Sequence, residues 1–287
     1  MISVLKALNV SAVCLANNHV NDNSDCFEET QKKLKEQGIQ TFGAGRSKKE
    51  AEQPALVKEQ DDLYVIIGFG WSVIGCKRKK KSDLYINQLE ENNVLMCLDN
   101  ARKQFKNAKI ICFFHWDYEL EIFPQPLHRM VAQKAIDRGA YAVIGCHPHI
   151  VQPIELYKNR IIAYSLGNFI VPNSKFGEGK LIYPEISMDE LVVQLDDRNQ
   201  YLHFKYDGEK TINMLDNYDL DDIIAPFNNS SNKDYYKWFR KYRRKKKFLP
   251  IFYRSSMIEY NLKCAWVDVR GKIIEGLLRI NLKSGPS

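Results

Sequence analysis

Residues 141–170, YAVIGCHPHIVQPIELYKNRIIAYSLGNFI, contain two short apolar runs that each end in a polar turn. The runs at 142–145 and 161–165 have the length and the β-branched content of buried strands. His147 and His149 directly follow the first run. In open α/β sheets, ligand sites form where strands end in polar side chains at their carboxyl ends, so this stretch predicts both a fold and a site.

The same pattern extends outward along the chain. Three further runs of strand length lie at 10–15, 63–69 and 109–114. Three segments with helical spacing lie at 26–37, 94–105 and 127–138. Strands that alternate with helices predict an α/β fold with a sheet covered on both faces. Near residue 190 apolar and polar residues begin to alternate singly, so 191–195 and 201–206 are predicted to form an antiparallel hairpin.

Polar side chains cluster at three predicted strand ends, namely Asn17 to His19, His115 to Glu119, and His147 with His149. These loops are expected to meet at one edge of the sheet. A single histidine is more often a hydrogen-bonded polar residue than a ligand, but three converging clusters favour a site. Imidazoles with an amide oxygen suit Zn, Mn or Fe better than Ca. His128 and His203 lack such company and are assigned to structure. Cys146 could be a thiolate ligand or nucleophile, but it follows an apolar strand with no second cysteine spaced to help, and is assigned to packing.

Four motifs then follow one another in a fixed order: CLANNHVND (14–22), FFHWDYE (113–119), GCHPHIVQPIE (145–155) and AYSLGNFI (163–170). With FGAG at 42–45, they resemble the CapA or PGA_cap family of bacterial capsule and poly-γ-glutamate synthesis proteins. The resemblance covers roughly residues 5–200. It implies a layered, metallophosphoesterase-like α/β fold of the calcineurin-like superfamily, with sheets flanked by helices, over 1–215. A basic, aromatic C-terminal extension would occupy 216–287.

The resemblance also implies roles for individual residues. Asn18, His115, His147 and His149 would bind two divalent transition ions (Mn, Fe or Zn), which in such sites lie ~3.5–4 Å apart and clamp a phosphate-like group. As catalytic residues, His19 would donate a proton to the leaving oxygen and Glu119 would orient a ligand histidine or a water. Asn168 is left open between a functional role and a purely structural one.

Three departures from the family pattern bear on the site. The family's opening strand ends in a Gly-Asp pair whose carboxylate contributes to the metal site, and this sequence contains no Gly-Asp dipeptide. The chain is therefore expected to be N-terminally truncated, to lack the first strand and to have one metal position weakened. Asp117 stands where the family typically has Gly, and Cys146 where His is frequent.

Composition limits the class of protein. Hydrophobic residues make up 45% of the chain and charged residues 27%, which is typical of a globular protein. No apolar run approaches the ~20 residues of a membrane-spanning helix, and the N-terminus does not resemble a signal peptide. The seven cysteines are scattered and form no CxxC pair, as reduced core thiols are. These features predict a cytoplasmic protein.

The net charge of +7 is concentrated in residues 77–81 and 240–247. Residues 233–254, KDYYKWFRKYRRKKKFLPIFYR, interleave this second basic run with aromatic side chains. Three partners suit such a segment: an anionic membrane surface, through peripheral association, a single-stranded nucleic acid, and an acidic polymer. No nucleic-acid motif supports the second. The favoured interpretation is a solvated amphipathic helix packed on the domain.

Two functions follow from these observations. The first is a metal-dependent, phosphoesterase-like hydrolase of surface-polymer biosynthesis, acting on an anionic polymer or a phosphate-containing substrate. The alternative is a non-catalytic binding or assembly factor for an anionic polymer, with a degenerate metal site. Metal content separates the two hypotheses, because only the hydrolase needs a complete metal site.

Overall fold

The computed structural model describes residues 2–77, 82–171, 174–176, 179–181, 183–195, 200–215, 224–244, 248–253 and 256–279. Its α-helices are α1 (Ile2–Ala7), α2 (Phe27–Glu36), α3 (Lys48–Ala51), α4 (Glu91–Gln104), α5 (Pro126–Asp137), α6 (Asn232–Tyr242) and α7 (Met257–Arg279). Its strands are β1 (Ala12–Cys14), β2 (Gln40–Phe42), β3 (Ala44–Gly45), β4 (Ala55–Glu59), β5 (Asp62–Gly70), β6 (Tyr85–Ile86), β7 (Lys109–His115), β8 (Ala142–Cys146), β9 (Val151–Tyr157), β10 (Arg160–Leu166), β11 (Ser174–Phe176), β12 (Gly179–Leu181), β13 (Asp189–Gln194), β14 (Gln200–Tyr206) and β15 (Thr211–Leu215).

Six strands form the central sheet in the order β4-β5-β7-β8-β10-β9. The inner strands β5, β7, β8 and β10 are parallel, whereas the edge strands β4 and β9 run antiparallel to their neighbours. Gly70 is in register with His115, and His115 with Cys146. The carboxyl ends of the parallel strands therefore lie along one edge of the sheet, as the sequence predicted.

The two faces of the sheet are covered by different layers. One face, with Ile67 and Phe114, joins a large apolar core that includes Leu98 of α4, Val131 of α5 and Phe239 of α6. The predicted α/β class, with a sheet flanked by helices, is confirmed by this arrangement. Burial of alternate strand residues on both faces explains why the inner strands read as nearly continuous apolar runs.

The opposite face packs against a second sheet. Ile111, Ile144 and Ile161 contact Leu191 of β13 and Tyr201 of β14. β13 and β14 pair antiparallel, which confirms the hairpin predicted from alternating residues, and β15 completes the three-stranded sheet. The predicted turn of that hairpin, 196–199, lies outside the described residues. An amphipathic hairpin can cover this face because its apolar side is buried against the sheet, as the apolar side of a helix would be.

A short parallel ribbon, β1 with β2, also lies on this side of the central sheet. The rings of Phe42 and Phe113 meet edge to face at 6.3 Å between centroids. Gly68 permits the close approach, because a Cβ at this position would lie 2.7 Å from Sγ of Cys14 and 2.9 Å from the Phe42 ring. This packing places the loop after β1 close to the end of β7.

The segment that leads into α6, and α6 itself, are anchored to the core. Arg129 of α5 forms a buried ion pair with Glu155 at 2.6 Å, and the same guanidinium donates to Oδ1 of Asn232 and to the carbonyl of Ser230, each at 3.0 Å. Tyr235 is fully buried and donates to the carbonyl of Pro124 at 2.6 Å. The guanidinium of Arg129 thus links β9 to the start of α6, and its removal would leave Glu155 buried without its cation, at a typical cost of about 3–5 kcal/mol. The domain boundary at residue 215 stays a prediction.

Candidate functional site

Three loops from distant parts of the sequence meet at the carboxyl edge of the sheet. Nε2 of His115 lies 2.9 Å from Oδ1 of Asn18. The ring centroids of His115 and His147 are 4.8 Å apart, and those of His147 and His149 are 5.8 Å apart. The structure thus brings together the four residues that the sequence analysis assigned to metal binding. Their proposed role as ligands stays a prediction.

Backbone geometry explains how one short turn supplies two of these imidazoles. His147 has a φ of 98° and His149 a φ of 59°, both in the left-handed region that favours glycine. Non-glycine residues in this region are strained and are retained mainly where the surrounding structure or function requires them. Two such residues separated only by Pro148 mark this turn as specialised for presenting its side chains.

Burial keeps the imidazoles of His115 and His147 neutral. Desolvation, and then the nearby His149 and His19, lower the pKa of His115 to about 3. Desolvation and the neighbouring His115 and His149 hold the pKa of His147 well below its usual range. A neutral imidazole has a free nitrogen lone pair, which is the form that binds metal ions. His115 and His147 therefore offer nitrogen donors at neutral pH without first losing an ionising proton.

The hydrogen bonds of His115 define its tautomer. Oδ1 of Asn18 can only accept, so Nε2 of His115 carries the proton and donates to it. Nδ1 of His115 lies 3.2 Å from Sγ of Cys146. Burial raises the pKa of this thiol well above its usual range, so the neutral thiol donates to Nδ1. Cys146, which the sequence analysis assigned to packing, therefore orients the central imidazole of the cluster.

His149 is fixed by the turn that follows β10. Its Nδ1 lies 2.6 Å from Oδ1 of Asn168, so Nδ1 donates and Nε2 keeps its lone pair. This turn is itself stabilised by Glu190, whose buried carboxylate accepts from the backbone N–H of Phe169 at 2.6 Å. These contacts favour a site role for Asn168. Glu190 lies in β13, beyond the motifs quoted above, and sequence reasoning missed it.

His19 lies at the exposed rim of the site. Its Nδ1 is 2.8 Å from Oδ2 of Asp22, and its Nε2 accepts from Nδ2 of Asn18 at 3.2 Å. The side-chain oxygen of Asn17 accepts from the backbone N–H of His19 at 2.9 Å. Asp22 therefore holds the ring so that Nε2 faces the cluster. Asp22 lies within the quoted CLANNHVND motif, but its pairing depends on loop geometry that spacing alone does not give.

Glu119 lies at the exposed edge of the site. The side chain is exposed, and within the ranges that the structure describes no hydrogen bond joins it to a site histidine. Partial burial, and then the charge of Glu119, raise the pKa of Tyr183, whose ring packs 5.3 Å from that of His149. Glu119 thus lies on the His149 side of the site, and its catalytic role stays a prediction.

Asp117 takes a conformation that explains why Gly suits this position. Its φ is 68°, and its fully buried carboxylate accepts from the backbone N–H groups of Tyr118 at 2.7 Å and Gln125 at 3.2 Å, and from Nε2 of Gln152 at 3.2 Å. These three bonds compensate for the left-handed backbone. Desolvation and the nearby Glu121 nevertheless raise the pKa of Asp117 to about 7. These bonds fix the backbone of the HWD segment at the end of β7.

The donor chemistry fits one divalent transition ion. Nδ1 of His147 is buried and has no hydrogen-bond partner among the described residues. Within those residues no group of three or more His, Cys, Asp or Glu side chains is arranged to hold an ion, so the amide of Asn18 and small side-chain shifts would be needed. The predicted pair of ions lacks a bridging carboxylate in the described part of the chain. The donor set thus suits a divalent transition ion, and the number of ions bound stays a prediction.

The comparisons with known proteins identify the family. The model of the bacterial capsule synthesis protein family PGA_cap matches residues 1–173, and the chain belongs to this family. The PGA biosynthesis protein CapA of Bacillus subtilis is 28% identical over 173 residues, which are 59% of this chain and 44% of that protein. The capsule biosynthesis protein CapA of Bacillus anthracis is 27% identical over 172 residues, 59% of this chain and 42% of that protein. The chain thus matches less than half the length of these curated relatives.

Several solved structures align with part of this chain. A hypothetical protein from Thermus thermophilus aligns with a TM-score of 0.42 and 13% identity, covering 74% of this chain and 77% of that chain. The NAD nucleotidase NadN of Haemophilus influenzae aligns with a TM-score of 0.40 and 14% identity, covering 74% of this chain and 40% of that chain.

Among the helices within the described ranges, none combines the length and the apolar character needed to cross a membrane.

Proposed function

We propose that this PGA_cap family protein is a metal-dependent, phosphoesterase-like hydrolase that acts in the biosynthesis of a surface polymer. The observation that carries the proposal is the convergence of Asn18, His115, His147 and His149 at the carboxyl edge of the parallel strands. Imidazole nitrogens with an amide oxygen are a donor set for Mn, Fe or Zn. The substrate would be a phosphate-containing compound or an anionic polymer.

Each site residue has a separate task in this proposal. Asn18, His115, His147 and His149 would hold the ion, which when bound supplies Lewis acidity toward a phosphoryl oxygen. His147 and His149 present their rings from a strained turn, so they are positioned before substrate arrives. The rigid placement lowers the reorganisation that the reaction would otherwise require.

His19 is suited to proton transfer because it lies at the rim and is held from both sides. Asp22 accepts from its Nδ1, which leaves Nε2 directed toward the cluster beside Asn18. In the protonated ring Nε2 would donate a proton to the leaving oxygen as the ester bond breaks. The amide of Asn18 touches both His115 and His19, so it couples the ligand set to the proton donor.

A second function is favoured by one observation. Among the described residues no carboxylate joins the imidazoles in a metal-holding group. A site with a single ion and neutral ligands can bind an anionic group without completing two-metal hydrolysis. The chain would then be a binding or assembly factor for an anionic polymer.

The two functions are separated by measuring metal content and turnover together. The protein is stripped with chelator, reloaded with Mn²⁺ or Zn²⁺, gel-filtered, and assayed for bound ion and for hydrolysis of bis(p-nitrophenyl) phosphate. His147→Ala should lose ion and turnover together, whereas His19→Ala should retain the ion and slow turnover by ~10²–10⁴-fold. His203→Gln changes a histidine outside the cluster and should retain both. Bound ion with no turnover, together with saturable binding of poly-γ-glutamate, would reject the hydrolase in favour of the binding factor.

A further inference from the structure

Helix α7 exposes a continuous apolar stripe. Its members recur every three or four residues and are 37 to 73% exposed: Ile258, Leu262, Trp266, Val269, Ile273 and Leu277. Residues at this spacing lie along one side of a helix. Exposed apolar side chains are common singly, but a contiguous row of six marks a surface that another body covers.

The opposite side of α7 attaches the helix to the domain. Tyr260, Cys264 and Val267 pack against the main core, and Oη of Tyr260 accepts from Nε1 of Trp71 at 3.3 Å. The stripe therefore faces away from the protein. The side of α7 that carries Tyr260, Cys264 and Val267 already packs on the core, so the stripe does not contribute to the packing of this domain.

The apolar surface continues beyond the helix. Nε1 of Trp266 donates to the carbonyl of Phe248 at 2.7 Å, and Phe248 itself is 76% exposed. Tyr242, at the end of α6, is 47% exposed. Aromatic side chains at the border of an apolar surface are typical of proteins that insert into the interfacial layer of a membrane.

Charge decides which partner fits this surface. Residues 233–279 contain fourteen Lys or Arg residues and four Asp or Glu residues, a net charge of +10 in a chain whose total is +7. A second copy would bring two such segments together and would be repelled. An anionic lipid surface attracts each cation that approaches it. We infer that α7, with Phe248 and Tyr242, docks this protein onto an anionic membrane surface, with the stripe inserted into the interfacial layer.

The docking surface lies beside the candidate site. Nζ of Lys77 pairs with Asp268 of α7 at 3.0 Å, and the carbonyl of Lys77 accepts from Nδ2 of Asn21 at 3.2 Å. Asn21 belongs to the same loop as Asn18 and His19. Docking through α7 would thus keep this loop on the domain side of the membrane-bound helix.

Flotation with vesicles tests the inference on the full chain without added metal, so its outcome is independent of the hydrolase proposal. The vesicles are phosphatidylcholine with 30 mol% phosphatidylglycerol, or phosphatidylcholine alone, at low and at physiological salt. The protein should bind the anionic vesicles, release them as salt rises, and show a blue shift of Trp emission that Trp266→Phe abolishes. Binding should fall by about tenfold or more in the double variant Leu262→Gln, Ile273→Gln, because both inserted side chains are lost.

Two controls make the result specific. Met96→Gln changes an apolar residue of α4 that is 41% exposed and should bind vesicles as the wild type does. Lys233→Gln with Lys237→Gln and Lys241→Gln should weaken binding to anionic vesicles, since three exposed cations are removed. Equal binding by the stripe variant and the wild type would overturn the inference. A dimer in sedimentation analysis that the stripe variant dissociates, without vesicle binding by the wild type, would assign the stripe to a second copy instead.

Discussion

Nδ1 of His149 lies 2.6 Å from Oδ1 of Asn168, so the turn after β10 fixes an imidazole that the turn after β8 contributes. The two residues are far enough apart in sequence to belong to separate motifs, and the contact makes them one unit. It also determines which nitrogen of His149 is free to bind an ion. A residue that accepts a hydrogen bond from a metal-binding histidine determines the orientation and the basicity of that histidine.

Replacing Asn168 should therefore weaken metal binding without unfolding the protein. We expect Asn168→Ala to lower the affinity for Zn²⁺ by ~10–100-fold, the usual effect of removing such a partner. Asn168→Asp keeps the acceptor oxygen and should retain most of the affinity. Affinity is measured by competition with a chromogenic chelator. An Ala variant that binds as tightly as the wild type would show that His149 needs no such support.

Cys146 makes a second testable contact. To bind an ion through Nε2, His115 must move its proton to Nδ1, where Sγ of Cys146 at 3.2 Å would accept it. Cys146→Ala removes that acceptor and should reduce metal affinity by about tenfold, whereas Cys146→Ser supplies a hydroxyl oxygen and should lose less. The same competition assay applies. Equal losses in both variants would assign the cysteine to packing, as the sequence analysis did.

Asp22 should matter for turnover and not for metal content. Its carboxylate fixes the ring of His19, so Asp22→Asn should leave the bound ion unchanged and slow hydrolysis by ~10–100-fold. General-acid catalysis matters more for a poor leaving group, so the loss should be greater with a phenyl ester than with a p-nitrophenyl ester. A loss that is equal for the two esters would contradict a role in proton donation.

His128 gives a prediction about stability and pH. Its ring is buried, lies stacked on Trp116 at 5.0 Å between centroids, and has a pKa lowered to about 3 by desolvation. Because this pKa is below that of the unfolded chain, the unfolded state binds the proton first. The stability contributed by the neutral ring is present above pH ~6.5 and is lost as pH falls toward 3, by up to ~1.4 kcal/mol per pH unit.

His128→Leu should remove this component. Urea unfolding between pH 7 and pH 4 should show a smaller loss of unfolding free energy for the variant than for the wild type. Met130→Leu, a change in the same helix that removes no titrating group, should keep the slope of the wild type. Identical slopes for His128→Leu and the wild type would mean that His128 does not stay neutral in the folded chain.

Much of the fold follows from local patterns in the sequence. The inner strands and the helices α2, α4 and α5 could be predicted because each has the apolar spacing and the length of a buried strand or of an amphipathic helix. The structure contains these elements. Asn18, His115, His147 and His149 could be grouped because each follows a strand, and parallel strands end at a common edge. The order and spacing of the strands predict this grouping even though the conformations of the loops are not known from the sequence.

Other features depend on contacts that no local pattern encodes. The left-handed backbone of Asp117 and the bonds that stabilise it come from Gln125 and Gln152, which lie in separate segments. Composition left open whether the aromatics of 233–254 meet a partner or pack on the domain, and Tyr235 and Phe239 are fully buried in the core. Three-dimensional packing decides which aromatic side chains of a basic segment are exposed.

The central claim is that the imidazole cluster binds a divalent transition ion, and a titration with Co²⁺ tests it most directly. We predict saturable binding of one Co²⁺ per chain, with visible absorption bands of a nitrogen-rich site, and loss of those bands in His147→Ala but not in His203→Gln. The absence of saturable binding by the wild type, or unchanged bands in His147→Ala, would contradict the account.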